Sequence, residues 1–408
     1  MRILQLCNKL PFPQTDGGAI AIGTLTEGLL MAGCEVKVLA MNTKKHFTDL
    51  NTIPDEFRSR TGLETVELDT DVKAPKALMH LLMGKSYNVS RFYSNKFKDK
   101  LVSILKKDVF DLILLEGLYL TPYLPYIRRY SSAPAVLRAH NVEWMIWQRL
   151  MKEERFRLKR SYLAKLAAQL REYESKAVNL CDGIMVFTEP DRRSFEEMGC
   201  KTPITVIPFG VMLSKYIPEP ARAPTSLFFI GALDWRPNLQ GLEWFLEHVW
   251  KRIYSSYPTA QFHIAGRNMP TNLRNYQGSG VILHERVENA ITYMKNYGIM
   301  LVPLFAGSGV RVKIIEGMAL QKTIIATTIG AEGIDYKAGI DIIIANTYQE
   351  FFDEVKRCMD DKEYVRKIGM NARNIVEEKY NIEKLTATVI EFFKKMITNE
   401  KPLKSSTV

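Results

Sequence analysis

Short runs of β-branched and leucine residues alternate with longer amphipathic stretches along the whole chain. Apolar runs of about four to eight residues bounded by turn residues are typical of buried strands. In the first half the pattern predicts strands at 2–7, 35–41, 65–69, 112–116, 135–139, 183–188 and 205–208. In the second half it predicts strands at 227–230, 261–265, 281–284, 299–302, 323–326 and 341–344. With helices between them, notably at 20–32, 90–107 and 142–179, this alternation predicts an α/β protein of mostly parallel sheets with helices on both faces.

The strand rhythm stops and restarts once, which predicts two facing Rossmann-like domains. At 408 residues the chain is too long for one ordinary core. The break is proline-rich and lacks periodicity, so we place an interdomain linker there. The predicted organisation is an N-terminal, acceptor-side domain at 1–208, a linker at 209–225, a nucleotide-sugar-binding domain at 226–400 and a polar tail at 401–408. The last helices of the second domain could pack back on the first.

Composition and charge narrow the class of protein. The longest clean apolar run, 299–306, is far shorter than the roughly 20 residues that span a bilayer. The N-terminal apolar run ends at Cys7 without a cleavage site, so we expect a cytoplasmic protein. The five cysteines are scattered singly, which indicates reduced thiols and no metal site. The net charge of +11, without a nucleic-acid motif, favours phosphorylated small molecules or anionic lipid as partners.

The first candidate segment, Asp16-Gly17-Gly18, follows the first strand and opens a helix. Paired glycines allow a backbone to approach a ligand closely, and a helix N-terminus favours an anion. The segment therefore predicts an acceptor-side or phosphate-binding loop. Its spacing is not G-x-G-x-x-G, which argues against a pyridine-nucleotide oxidoreductase.

The second candidate is His140, directly after the strand at 135–139. In parallel sheets, ligands bind outside the carboxyl ends of the strands, so this imidazole would face a ligand and could donate to a sugar hydroxyl or a developing anion. The alternative is a capping cluster in which Asn141 caps the following helix and His140 only packs. Both remain open.

The third candidate is the strongest, because a strand leads into a Gly-Ser-Gly loop and then a helix over 305–319. The amides of Ser308, Gly309 and Val310, with the helix dipole, predict an anion site. Arg311 and Lys313 add positive charge beside it. Glu316, further along the helix, would accept hydrogen bonds from ribose hydroxyls. An ordinary amphipathic helix with a solvated Glu316 is compatible with the same pattern.

Linked segments in this order resemble the retaining glycosyltransferases of family 4, which have the two-Rossmann architecture called GT-B. The similarity runs through Asp16-Gly17-Gly18, 138–143, 229–233, 264–266, and 302–303 through 330–333. It implies a nucleotide-sugar donor, retention of anomeric configuration, and no metal or other cofactor. It also implies that His140 and Glu316 are catalytic, with His140 binding the transferring sugar.

Two positions depart from the family pattern. Where the family often has a first glutamate, separated from the second by seven residues, this chain has Ser308. Where it usually has an arginine and a lysine that reach the diphosphate, this chain has Ala232 and Pro237. We therefore expect Lys313 and Arg311, assisted by Arg236, to supply the missing positive charge.

The resemblance implies transfer of a hexose-type unit to an acceptor hydroxyl, in synthesis of a cell-surface polysaccharide or glycolipid. The acceptor would be a saccharide or a lipid-linked molecule, and nucleic acid is not expected. A sugar-nucleotide epimerase of similar build would share the nucleotide pocket but would need further acidic residues. A catalytically silent nucleotide-sugar-binding scaffold is the other alternative, since one of the paired glutamates is missing.

The stretch 147–176 is basic and amphipathic, with nine basic and four acidic residues. Such a helix can lie on anionic lipid, which suits peripheral contact with the inner face of a membrane and a lipid-linked acceptor. The alternative, which the pattern favours, is a long surface helix whose apolar stripe packs on its own domain.

Overall fold

The computed structural model describes residues 1–14, 16–307 and 309–398. The chain divides into two compact units. The first comprises Met1–Gly210 together with the C-terminal segment from Glu383, and the second is Val211–Ile382. Each unit is built around its own parallel sheet, which confirms the predicted α/β class.

The sheet of the first unit has seven strands within the described residues. They are β1 (Arg2–Cys7), β2 (Glu35–Thr43), β3 (Glu64–Leu68), β4 (Leu112–Glu116), β5 (Ala135–Ala139), β6 (Gly183–Val186) and β7 (Ile204–Val206). All pairs are parallel, in the order β3-β2-β1-β4-β5-β6-β7. The order reverses between β1 and β4, and ligands of such sheets bind at the carboxyl ends near this reversal.

The sheet of the second unit has six strands over the same described ranges. They are β8 (Ala223–Ile230), β9 (Phe262–Ala265), β10 (Val281–His284), β11 (Tyr297–Val302), β12 (Thr323–Ala326) and β13 (Ile343–Ile344). Their order is β10-β9-β8-β11-β12-β13, again all parallel. Here the order reverses between β8 and β11.

Helices lie between most successive strands. Those before the second unit are α1 (Gly17–Met31), α2 (Asp55–Thr61), α3 (Ala74–Leu82), α4 (Tyr87–Ser90), α5 (Asn95–Lys107), α6 (Leu124–Tyr130), α7 (Glu143–Glu153), α8 (Arg157–Val178) and α9 (Glu189–Glu197). The later ones are α10 (Arg236–Phe245), α11 (Lys251–Ser256), α12 (Ala290–Lys295), α13 (Val312–Ala319), α14 (Tyr348–Asp360), α15 (Lys362–Ile375) and α16 (Ile382–Thr398).

Both faces of the first sheet are covered, because alternate side chains of a strand point to opposite faces. Leu4 of β1 belongs to a buried apolar cluster with Phe97 of α5. Its neighbour Ile3 belongs to a different cluster, with Ile22 of α1 and Phe393 of α16. The C-terminal helix therefore completes the core of the first unit. Fully buried strands explain the near-continuous apolar runs in the sequence.

Most predicted elements differ from the observed ones by a few residues at their ends, and three parts of the chain differ more. The helix predicted over 142–179 is two helices, α7 and α8, separated at 154–156. The strand β8 begins at Ala223, inside the predicted linker 209–225, and the second unit already starts at Val211. The segment from Glu383 to the end of α16, counted in the sequence with the second domain, belongs to the first unit, in line with the expectation that the last helices pack back on the first domain. The predicted polar tail, 401–408, lies outside the described residues.

Across the described part of the chain, no helix combines the length and the apolar character needed to cross a membrane.

Candidate functional site

The carboxyl ends of β4 and β5 bring a carboxylate and an imidazole into contact. Glu116 ends β4 and is fully buried, whereas His140 follows β5 with 15% of its side chain exposed. His140 Nε2 lies 2.6 Å from Glu116 Oε2. The parallel register, which pairs Glu116 with Arg138, places both groups at the ligand-binding edge of the sheet.

The groups around Glu116 favour its charged carboxylate form. Arg138 Nη1 lies 3.3 Å from Glu116 Oε1, and Gln5 Nε2 donates to the same oxygen at 2.8 Å. Burial by itself would raise the pKa of Glu116, but Arg138, followed by His140 and Gln5, outweighs it and holds that pKa below its ordinary value. Because the carboxylate only accepts, His140 Nε2 must donate to it, which leaves Nδ1 available for another partner.

The alternative in which Asn141 caps the helix after His140 is wrong. The cap residue of α7 is Val142, and no side chain of its own segment caps the helix. Instead the Glu174 carboxylate, from α8, accepts hydrogen bonds from the backbone amides of Glu143 at 3.0 Å and Trp144 at 3.1 Å. A carboxylate there satisfies two of the amides that every helix N-terminus leaves unbonded.

Sequence reasoning missed several polar groups beside this edge. Glu116 terminates an apolar run, and that position was the one signal that could have identified it. Glu143 accepts a 2.6 Å hydrogen bond from Tyr119 Oη, and burial raises the pKa of Glu143. Burial also raises the pKa of Glu174 to about 8. No local pattern marks Glu174, because its partners lie some 30 residues earlier.

The Asp16-Gly17-Gly18 segment has a different local role from the predicted one. Asp16 is the N-cap of α1, and its Oδ1 accepts from the amides of Gly18 at 2.9 Å and Ala19 at 3.1 Å. Lys9 Nζ donates to the same oxygen at 2.9 Å. The amides that the prediction assigned to an external anion are thus bonded to the chain's own carboxylate, whose affinity for the helix N-terminus has the same physical cause.

Lys313 is the second residue of α13. Its side chain extends to the carboxyl end of β8, where the strand order of the second sheet reverses. Its Nζ donates to the carbonyl of Ile230, the last residue of β8, at 3.2 Å, and to Asn238 Oδ1 at 3.3 Å. Burial, with a contribution from Arg311, lowers the pKa of Lys313 to about 7. This ammonium is therefore poorly solvated and would gain strongly from an anionic partner.

Close backbone packing holds the partners of Lys313 in place. A Cβ on Gly231 would lie 2.8 Å from Asn238 Nδ2 and 3.3 Å from Lys313 Nζ. Gly241 lies one turn beyond Asn238 on α10, and a Cβ there would lie 1.8 Å from the carbonyl oxygen of Pro303. The helix that carries Asn238 can approach the sheet edge only because these positions have no side chain.

Glu316 lies one turn beyond Lys313 on α13, partly buried. Tyr216 Oη donates to Glu316 Oε1 at 2.7 Å. Burial raises the pKa of Glu316, and the Tyr216 hydrogen bond offsets part of that rise. Arg373 Nη1 donates to the Tyr216 carbonyl at 2.8 Å and to the Ala319 carbonyl at 2.6 Å, so one guanidinium ties the tyrosine to the end of α13. The reading of Glu316 as a simply solvated carboxylate is therefore wrong.

The Gly-Ser-Gly loop before α13 is described except for Ser308, which lies outside the described residues. Gly309 has φ of +82°, in the left-handed region that favours glycine. Arg311 is buried, donates from Nη1 to the Gly309 carbonyl at 2.7 Å, and lies over the Trp235 ring with Cζ 5.3 Å from its centroid. Arg311 thus supports the loop as well as adding charge near Lys313.

Two of the predicted donor-binding residues have less defined surroundings. Arg236 is exposed and begins α10, the helix that also carries Asn238. Val310 is partly buried between Gly309 and Arg311. The structure therefore brings Lys313 and Arg311 together near the end of β8, with Glu316 on the same helix. In the ranges 1–14, 16–307 and 309–398, no three His, Cys, Asp or Glu side chains are grouped to hold a metal ion.

Comparison with known proteins gives this geometry a context. Residues 224–361 match the family model described as glycosyl transferases group 1. The matched segment begins in β8 and includes the loop and α13. A curated relative, an uncharacterized 44.6 kDa protein in the cps region of Klebsiella pneumoniae, is 23% identical over 308 residues, covering 72% of this chain and 77% of the relative.

Solved structures share the fold over nearly the whole chain. Sucrose-phosphate synthase from Thermosynechococcus elongatus is 15% identical, with a TM-score of 0.70 over 98% of this chain and 100% of that one. Anabaena HepE in complex with UDP is 13% identical, with a TM-score of 0.66 over 97% and 100%. TarM is 11% identical, with a TM-score of 0.67 over 96% of this chain and 98% of TarM. The two Rossmann-like units match GT-B structures, and the comparisons together support a GT-B glycosyltransferase.

Proposed function

We propose that this protein is a retaining glycosyltransferase of the family 4 type, which moves a hexose from a nucleoside diphosphate sugar to an acceptor hydroxyl. The observation that carries the proposal is the placement of Lys313. Its ammonium lies at the carboxyl end of β8, next to the reversal in strand order, and Glu316 follows one turn later on the same helix. A cation and a carboxylate at this spacing suit a diphosphate followed by a ribose.

The donor's diphosphate would bind Lys313. An ammonium that is buried and has a lowered pKa gains most from a phosphate, because the anion replaces the solvation that burial removed. The N-terminus of α13 adds the partial positive charge of the helix dipole. The same groups would stabilise the diphosphate as it leaves, which is the largest contribution that a protein can make to this reaction.

Glu316 would accept hydrogen bonds from the ribose hydroxyls. Its Oε1 is held by Tyr216 at 2.7 Å, which leaves the second oxygen to bind a pair of hydroxyls in a fixed direction. Of the alternatives, an epimerase would share this nucleotide site, and so would a catalytically silent scaffold. An epimerase would form a different product from a transferase, and a silent scaffold would form none.

For the first unit we propose that His140 binds the sugar being transferred. Glu116 fixes the imidazole through Nε2, so Nδ1 is directed by a buried, ionised partner. We propose transfer in which attack and departure occur on the same sugar face, through an oxocarbenium-like state, because the family that the chain resembles retains configuration. The acceptor would be a saccharide or a lipid-linked molecule in the synthesis of cell-surface polysaccharide or glycolipid, at the cytoplasmic side of a membrane. The relative in a cps region is in line with this.

The test is a panel of UDP-, GDP- and dTDP-sugars, first in thermal shift and then in assays of nucleoside diphosphate release. HepE of Anabaena has been solved with UDP-glucose, so UDP-sugars come first. Each assay is run with a chelator and then with added divalent metal, since we propose that none is needed. The NMR signal of the product's anomeric proton shows whether the anomeric configuration of the donor sugar is retained.

Three results would contradict the proposal. Absence of any stabilising nucleotide sugar would remove the donor site. Binding followed by interconversion of the donor sugar, with no diphosphate released, would indicate an epimerase. Binding without turnover against a broad set of acceptors, including lipid-linked ones, would indicate the silent scaffold.

A further inference from the structure

Apolar side chains are strongly exposed where α7 gives way to α8. Leu158 is 90% exposed and Phe156 is 76% exposed. Tyr162, one turn further along α8, is 41% exposed. Scattered exposed leucines are normal on protein surfaces, but a phenylalanine and a leucine so exposed and so close in sequence form a local apolar tip.

The apolar side chains further along α8 are buried. This bears on the alternative that the apolar stripe of the basic stretch packs on its own domain. The apolar residues predicted to form its stripe divide into two groups. Leu163, Leu166 and Leu170 are buried and pack on the helix's own unit, as the packing alternative required. The first turns, from Arg157 to Tyr162, are exposed throughout. The exposed large apolar side chains of α8 are therefore confined to its N-terminal end.

A second exposed apolar group lies next to Leu81, whose carbonyl contacts α8. At 100° per residue, Leu158, Tyr162 and Gln169 fall within about 40° of one another on the helix surface. Gln169 Nε2 donates to the Leu81 carbonyl, near the end of α3, at 2.9 Å. The next residue, Leu82, is 74% exposed.

Met83 follows Leu82 and is 56% exposed. We define the apical surface as Phe156, Leu158 and Tyr162. Leu82 and Met83 belong to a separate exposed group, because the contact of Leu81 with Gln169 lies about three helical turns beyond Leu158.

Cations surround the apolar tip. Arg155, Arg157 and Arg160 are all exposed within five positions of Leu158. Lys159 is exposed as well and pairs with Glu154 at 2.5 Å. Apolar side chains that enter the interface, ringed by arginines that meet lipid phosphates, are the arrangement with which peripheral proteins bind anionic bilayers.

We propose that the apical surface docks the protein on an anionic lipid bilayer, with Phe156 and Leu158 entering the boundary between headgroups and acyl chains. A second copy of this chain fits the surface poorly, because a symmetric contact would bring the same arginines against one another. The inference deepens the proposed function, since it would place the enzyme beside lipid-linked acceptors. Membrane binding is nevertheless measured without any turnover, so the two proposals fail separately.

The experiment is flotation of the full chain with vesicles of phosphatidylcholine, with and without phosphatidylglycerol, at low salt and at about 1 M salt. Wild type should float with the anionic vesicles at low salt and largely detach at high salt, where the screening length is about 3 Å. The double variant F156E/L158E should bind more than tenfold less. Arg157→Ala should bind about fivefold less, the effect of about 1 kcal/mol per cation near an anionic surface.

Val109→Glu is the matched control. Val109 is 85% exposed but precedes β4, at the amino end of the strands, whereas α7 follows the carboxyl end of β5. This variant should float like wild type, and all the variants should keep the wild-type thermal midpoint. Equal flotation of F156E/L158E and wild type would overturn the proposal, as would equal recovery from neutral and anionic vesicles. A wild-type dimer that F156E/L158E converts to monomer would assign the surface to self-association and overturn it too.

Discussion

Tyr216 donates a 2.7 Å hydrogen bond to Oε1 of Glu316, across 100 positions of the chain. The tyrosine comes from the segment before β8 and the glutamate from the middle of α13. Because the hydrogen bond favours the charged form of a carboxyl whose pKa burial raises, Tyr216 controls both the orientation and the ionisation of Glu316.

We therefore expect Tyr216→Phe to weaken donor binding while leaving the fold intact. Without the phenol, Glu316 loses its fixed orientation and its charged form is less favoured, so the donor KM should rise. Loss of the phenol also removes the group that lowers the pKa of Glu316. The acid limb of the pH profile of kcat/KM should then move to higher pH.

Tyr380→Phe is the control for that variant. Tyr380 Oη accepts a 2.7 Å hydrogen bond from the amide of Asp335 in the same unit. Its loss should lower the melting temperature without moving the pH profile. A profile that is the same in Tyr216→Phe and wild type would show that the tyrosine is only structural.

Glu316→Gln should abolish transfer, or nearly so, without destabilising the protein. The raised pKa means that the native state disfavours the ionised carboxyl, so unfolding free energy falls as pH rises from the unfolded-state pKa to the folded one. A glutamine cannot ionise, and so the variant should be as stable as wild type or more stable at neutral pH. Steady-state kinetics and urea unfolding check the two parts. Wild-type turnover and donor affinity would remove Glu316 from the site.

Lys313→Met should weaken UDP or GDP binding by roughly 10- to 150-fold, the equivalent of about 1.5–3 kcal/mol for a charge-assisted hydrogen bond. With a pKa of about 7, the free wild-type ammonium loses its proton as pH rises above neutrality. Wild-type affinity should therefore fall with rising pH, and the variant's affinity should not. Calorimetric titration across that range measures both.

Lys322→Met is the control that shows whether the loss of nucleotide affinity comes from Lys313 itself or from replacing any buried lysine. Lys322 is also buried, and burial lowers its pKa to about 8. Lys322 precedes β12 and so lies at the amino ends of the strands, whereas Lys313 contacts the carboxyl end of β8. The Lys322 Nζ donates to the Lys295 carbonyl at 3.2 Å. Its replacement should change stability only. If Lys313→Met binds nucleotide as tightly as Lys322→Met does, the phosphate charge comes from elsewhere, with Arg236 the next candidate.

Glu116→Gln should destabilise the first unit more than His140→Ala does. The glutamine would leave the buried Arg138 guanidinium without its carboxylate, and breaking a buried ion pair costs about 3–5 kcal/mol. His140→Ala removes one hydrogen bond to a charged group, worth about 1.5–3 kcal/mol, and Glu116 keeps Arg138 and Gln5. Both variants should lose transfer activity.

The pH dependence of that difference has a definite sign. Because the pKa of Glu116 is lowered in the folded state, its stabilisation is present above the unfolded-state pKa, near 4.5, and is lost as pH falls through the folded value. Urea unfolding should therefore show wild type and Glu116→Gln converging in acid. A gap that stays constant down to strongly acid pH would contradict the ion-pair account.

The sequence by itself determined the elements and the order in which they come. The predicted strands at 2–7, 112–116, 135–139, 281–284 and 323–326 coincide with β1, β4, β5, β10 and β12. Strands buried on both faces must be apolar along their whole length, so their positions are encoded locally. The loop before α13 was also readable, because its glycines and cations are neighbours in the sequence.

Only the tertiary structure decided which polar groups meet. Glu116 and His140 lie on neighbouring strands, Glu174 reaches α7 from another helix, and Tyr216 meets Glu316 from outside the strand–loop–helix motif. The particular residues that α16 packs against, such as Ile3 and Ile22, are of the same kind, although the sequence had allowed the last helices to pack on the first domain. Each of these contacts joins residues that are distant along the chain. Local periodicity carries no information about such pairs, because it specifies which face of an element is buried but not the partner that covers it.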